Sequence, residues 1–212
     1  MGTYHFNYKQ RPDFVPKMDK TQFVRNFLDT DLLWPRLYYK DEVRKSFLAA
    51  FQNPEQAYDW LIDCYPALVK ALSRIQYIEK NADKRQAMLH FDLRLDNVIQ
   101  SDGDIYIVDW PNLCWGPALF DIVHLSAYVS AHTSFSASQI CRIYQNCHSV
   151  SYKAEDILAV VASLSGYYGQ HFYKDVPTAM PRLRQMQKQI FLALVDWFAH
   201  ETAINPLPPL KS

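Results

Sequence analysis

The stretch HFDLRLDN, residues 90–97, puts two aspartates, an arginine and an asparagine into eight positions directly after the apolar run 87–89. Such a density of polar groups is either a solvated turn or the floor of a reaction site. Downstream, apolar runs at 98–99 and 105–110 flank Ser101-Asp102-Gly103-Asp104, a tight-turn sequence, and Asp109 sits within the second run. A hairpin here would bring Asp92, Asp96 and Asn97 at one end toward Asp109 at the other. Carboxylate and amide oxygens gathered in this way suit a hard divalent cation. Magnesium takes one or two protein carboxylates and completes its shell with water and phosphate oxygens. A carboxylate left free of the metal can accept a proton from a substrate hydroxyl.

The surroundings of the hairpin read as helical. Asp19 with Gln22 three positions on is a capping-box start, and that helix is expected to end before Pro35. A second helix is predicted over 41–51. A third starts at Asn53-Pro54, with a stripe of Ala57, Trp60, Leu61, Cys64, Leu68, Leu72 and Ile75 and a kink at Pro66. Beyond Gly116-Pro117, helices are expected at 117–131, 137–148, 154–173 and 179–203, with Ser136 as a cap and Pro181 in a first turn. Residues 1–18 form a poorly defined N-terminal segment with at most one short strand at Tyr4–Tyr8. Residues 205–212 form a Pro-rich tail that cannot continue a helix. Five glycines against twelve prolines, with 15% aromatic residues, fit packed helices better than a many-stranded sandwich.

Composition excludes several classes of function. Lys plus Arg and Asp plus Glu balance at 22 each, so no net field attracts nucleic acid or an anionic membrane. No apolar run approaches the roughly 20 residues that span a bilayer. The four cysteines show no C-x-x-C spacing and the first residues lack a signal-peptide pattern, so reduced thiols in a cytoplasmic protein are expected.

The ordered set His90, Asp92, Leu93 and Asn97 (H-x-D-L-x-x-x-N), then an apolar strand and Asp109, resembles the catalytic and metal-binding segments of the aminoglycoside phosphotransferase and choline kinase-like family, relatives of the protein kinases. The wider string HFDLRLDNVIQSDGDIYIVDWPNLCWGPALFDIVHL is similar in particular to bacterial members with L-R-x-D-N and V-D-W-P elements. The resemblance implies an α+β, mostly helical chain: the C-terminal lobe of the protein kinase-like fold, over 19–204, with a small β-hairpin carrying the catalytic and metal-binding loops. It implies an ATP-dependent (or GTP-dependent) phosphotransferase acting on a small-molecule hydroxyl, with Mg2+. Asp92 would be the catalytic aspartate, and Arg94 would neutralise part of the acidic cluster or meet a phosphate. Asn97 and Asp109 would hold magnesium on the nucleotide, and His90 and Asp121 would support the loop. A nucleotide and a hydroxyl substrate are the implied partners.

Only 89 residues precede His90. None of Gly2, Gly103, Gly116, Gly166 and Gly169 builds a phosphate-covering loop, and Lys9, Lys17 and Lys20 lie in no V-A-I-K-like strand. The expectation is a C-terminal lobe without its nucleotide-covering N-terminal lobe, either a fragment or a shortened protein, with a homodimer formed through the face so exposed. The alternative is an inactive kinase-like remnant acting as a binding or interaction domain. Asp96, Asp102 and Asp104 read as solvated turn residues, and His124, His132, His148, His171 and His200 as ordinary helix residues. Trp110 and Trp115 serve equally as pocket lining or core. Glu155, Asp156, Asp175, Asp196 and Glu201 either draw a cationic substrate or lie on solvated helix faces.

Overall fold

The computed structural model describes residues 33–80, 86–110, 112–172 and 180–211. The strand expected near residues 4–8, the helix capped by Asp19, and Asp175 lie outside them. Among the described residues, eight α-helices and four short strands follow in order: α1 (Leu33–Tyr39), α2 (Asp41–Leu48), α3 (Pro54–Ser73), α4 (Ile75–Lys80), β1 (Gln86–Leu89), β2 (Val98–Ser101), β3 (Asp104–Ile107), β4 (Cys114–Pro117), α5 (Leu119–Ser130), α6 (Ala137–Cys147), α7 (Ala154–Phe172) and α8 (Pro181–Thr202). A mostly helical chain with a small β part matches the α+β expectation.

Local signals set most helix ends. Asn53 Oδ1 accepts from the Gln56 backbone N–H at 3.1 Å, with Pro54 in the first turn, where a missing N–H costs nothing. Ser136 and Gln139 form a reciprocal capping box on α6, and Pro181 opens α8. Pro35 lies within α1, and the end of the Asp19 helix falls outside the described residues. α3 runs through Pro66, which is exposed, and continues to Ser73. The predicted stripe of α3 breaks before Ile75, because Arg74 ends the helix and Ile75 begins α4.

The single β unit expected around the hairpin is two separate two-stranded sheets. β2 and β3 pair antiparallel with Val98 opposite Ile107 and Ser101 opposite Asp104. Asp102 (φ 52°) and Gly103 (φ 84°) supply the left-handed pair that a two-residue hairpin turn requires. β1 pairs with β4, Leu89 opposite Cys114. β4 was not expected: its four residues, Cys-Trp-Gly-Pro, show no alternation, and only the partner strand makes them a strand.

α7 lies at the centre and packs on α1, α3, α4, α5 and α8. Ala159, Val160, Val161, Ala162 and Leu164 are buried along it together with Ser163 and Ser165, so no face is left for solvent in its middle turns. Trp34 of α1 stands against this helix. Its indole N–H reaches Ala162 O (3.0 Å) and Ser165 Oγ (3.2 Å), and its ring meets those of Trp60 and Phe191. A methyl group on Gly166 would come within 3.1 Å of the Trp34 ring. Because hydrogen bonds and stacking pin that ring, overpacking outweighs the helix propensity gained, and Gly166→Ala is expected to destabilise the fold by about 1 kcal/mol, read as a lower denaturation midpoint at unchanged m.

Candidate active site

The site begins where β1 ends. After Leu89 the chain turns through Phe91 in the left-handed region (φ 59°), a conformation that costs a non-glycine residue on the order of 1 kcal/mol. The buried Asp121 holds the turn in place. Its Oδ2 accepts from the His90 N–H at 2.7 Å and its Oδ1 from the Phe91 N–H at 2.9 Å. Asp121 lies in the first turn of α5, where the helix dipole favours an anion. His90, fully buried, ties the loop to β3: Nε2 meets Val108 O at 2.9 Å and Nδ1 accepts from the Asp92 N–H at 3.3 Å. Both bonds form only in the neutral tautomer with the proton on Nε2. Trp110, its indole N–H donated to Ile107 O at 2.8 Å, packs on the His90 ring.

Leu93 anchors the loop in the interior, and Leu95–Asn97 form one 3-10 turn. Asn97 is 5% exposed; its Nδ2 donates to Asp92 O at 2.9 Å and its carbonyl accepts from the Val108 N–H at 3.0 Å. One side chain thus fixes the backbone of Asp92 while its own backbone fixes the residue before Asp109. Asp109 is exposed and also left-handed (φ 60°), just beyond the end of β3 at Ile107. Neither Asn97 Oδ1 nor the Asp109 carboxylate has a hydrogen bond or ion pair among the described residues.

Arg94 lies between two acids, Nε 3.1 Å from Asp92 Oδ1 and Nη1 3.2 Å from Asp96 Oδ2, and Nη1 also donates to Met186 Sδ of α8. The contact to Asp92 is ionic without the in-line geometry of a hydrogen bond. Asp96, expected to be merely solvated, is therefore a partner of Arg94. Burial pushes the Asp92 carboxyl above its ordinary value of 3.8, Arg94 opposes this, and the charges of Asp96 and Asp109 add to the rise. Hydrogen bonds of His90 and Asn97 to Val108, and of Asn97 to Asp92, bring the loop 90–97 and the end of β3 together. Trp115 is core, at 7% exposure, whereas Trp110 is part of the site's support.

An amide oxygen and a carboxylate, both without protein partners, fit a cation that keeps waters and shares phosphate oxygens. No three His, Cys, Asp or Glu residues among those described gather into an all-protein metal cage. A cleft of about 180 Å³ between α6, α7 and α8, lined by Cys141, Arg142, Ile157, Trp197 and Glu201, includes none of these site residues. Glu155 and Asp156 are both engaged by Arg74, each at 2.7 Å, and do not form a free acidic patch.

Sequence reading missed the layer behind the loop. His124 is buried, and its Nε2 lies 2.6 Å from the Tyr168 hydroxyl. With Tyr168 donating, the Nδ1–H has no partner among the described residues. Burial lowers the His124 pKa to about 4, so the unfolded chain binds its proton first as pH falls below 6.5. Stability contributed by neutral His124 is therefore complete above 6.5 and lost as pH falls toward 4, by about 3 kcal/mol in all. Chemical denaturation of the wild type and His124→Phe across this window is expected to show a smaller pH slope in the variant. Asp121→Ala strands two backbone N–H groups and is expected to cost about 2–4 kcal/mol in the same measurement.

A model of the phosphotransferase enzyme family matches residues 11–152, more than half of the 212-residue chain, and spans the loop 90–97, Asp109 and Asp121. Comparison with curated proteins and with solved structures finds no match. With the loop geometry and the family match in agreement, the chain belongs to the phosphotransferase enzyme family, that of the aminoglycoside phosphotransferases and choline kinase-like enzymes.

Proposed function

We propose that the chain carries the catalytic, C-terminal lobe of a kinase-like phosphotransferase that moves the γ-phosphoryl group of ATP or GTP to a hydroxyl of a small molecule. The observation that carries this reading is Asn97, whose amide nitrogen is spent on the Asp92 carbonyl while its amide oxygen, like the Asp109 carboxylate, has no partner among the described residues. Asp92 accepts a hydrogen bond from the acceptor hydroxyl and takes its proton as that oxygen attacks the γ-phosphorus. The bond to the bridging oxygen breaks, and the nucleoside diphosphate leaves with the electron pair. A carboxyl with a raised pKa is the better base for this task. Arg94 holds Oδ1 of Asp92 and leaves Oδ2 for the substrate. Magnesium held by Asn97 Oδ1 and Asp109 would neutralise phosphate charge. Four unpaired cysteines fit a reducing compartment such as the cytoplasm; among the described residues no helix is long and apolar enough to cross a membrane.

The test is magnesium-dependent release of nucleoside diphosphate across a panel of hydroxyl compounds, alongside nucleotide-dependent thermal shifts. Asp92→Asn is expected to lower kcat by about 10²–10⁴ with little change in nucleotide binding. Asn97→Ala and Asp109→Asn should instead raise the magnesium concentration needed. A chain showing neither turnover nor nucleotide stabilisation would leave only the binding-domain reading. Asp92 also bears on stability: its raised folded pKa favours the folded state below 3.8, an advantage lost as pH rises through the folded value. Asp92→Asn should therefore melt no lower than wild type at neutral pH, with the difference vanishing in acid.

A further inference from the structure

Among the described residues the Arg94 guanidinium meets three groups, and two of them belong to its own loop. Asp92 Oδ1 lies 3.1 Å from Nε and Asp96 Oδ2 lies 3.2 Å from Nη1, one acid on either side of Arg94 in the sequence. The third is Met186 of α8, 92 positions away, whose Sδ accepts a hydrogen bond from Nη1 at 3.3 Å. Met186 is half-buried and packs against the core, so the helical layer holds it and the loop does not. Two contacts leave a planar guanidinium free to pivot about the line that joins them. A third, from a separate element, fixes its plane. The ion pairs alone would hold it loosely: Asp96 is 56% exposed, and pairs open to solvent restrain long side chains only weakly.

The geometry points to Met186 as a positioning residue: it locks the Arg94 guanidinium against Oδ1 of Asp92, so that Oδ2 keeps one direction toward the acceptor hydroxyl. A thioether suits this task because it is a weak, neutral acceptor. It orients the guanidinium without neutralising it, and the positive charge stays with the two acids and with an entering phosphate. A carboxylate in its place would compete with Asp92 for the same cation. α8 lies beyond residues 11–152, so this support comes from a helix that the family match does not reach. The effect on turnover rests on the phosphotransferase reading, whereas the lock itself is measurable without turnover.

The test follows the Arg94 Nε–Hε resonance in the isotope-labelled full chain, assigned by its loss in Arg94→Lys. Met186→Leu keeps apolar bulk and removes the acceptor; Met186→Gln keeps the length and supplies a neutral amide oxygen. With the melting temperature unchanged, Met186→Leu is expected to lower the order parameter of that group and speed its exchange with water by about tenfold, and Met186→Gln to restore both. An Arg94 signal as ordered in Met186→Leu as in wild type overturns the proposal. So does an equal loss in Met186→Gln, the pattern of a residue that only packs. In the turnover assay Met186→Leu should lower kcat by about three- to tenfold with the nucleotide KM unchanged, since displaced catalytic groups lose rate more than binding. An unchanged kcat with a loosened Arg94 overturns the positioning role. A wild type that shows the expected Arg94 pattern and no turnover refutes the phosphotransferase reading and leaves the lock standing.

Discussion

The Asp121 carboxylate accepts one backbone N–H on each oxygen, from residues 30 and 31 positions earlier in the chain, and the geometry of the site depends on that pair of bonds. They hold Phe91 in a conformation it would otherwise leave, and so determine where Asp92 stands. From the same loop His90 reaches Val108, and Asn97 bonds to Val108 through its carbonyl. The end of β1, the start of α5 and the end of β3 are thereby fastened at one point. Because Asp121 sits on a helix packed into the core, the loop takes its precision from a rigid element.

Around this fixed backbone, charge is left out of balance. Asp92 is partly desolvated and close to two further carboxylates, with only Arg94 opposing them. Asp109 and Asn97 Oδ1 have no counterpart among the described residues. A structure selected only for stability would have neutralised this cluster. Under the proposed phosphotransferase reading a cation and a phosphate would complete it, and the stability lost at Asp92 would serve its basicity.

The parts of the fold that depend on a few neighbouring residues were legible in the sequence: the Asp102-Gly103 turn, the Asn53 and Ser136 caps, Pro181 at a first turn, and the polar loop 90–97. What stayed hidden depends on partners far along the chain. β4 is a strand because β1 lies beside it. Glu155 and Asp156 face Arg74 from more than 80 positions away instead of a substrate. His124 and Tyr168 are 44 residues apart, and nothing in their local patterns announces a buried pair. Nothing in the ordered motif announces that Arg94 bridges Asp92 and Asp96.

After α8 the chain does not trail away. Leu210 bridges Phe51, the Gln52 N–H bonds to Pro209 O, and Lys211 reaches back to Ala49 and Ala50, while the Trp60 indole N–H meets Asn205 O. These contacts close loops of about 160 residues, the kind whose entropy is lost late, after local helices have formed and packed. Interactions absent from the folding transition state act mainly on the rate of unfolding. The short proline-rich segment thus works as a latch on the helical layer: it does little to help the chain find its fold, and governs how long the fold persists once reached.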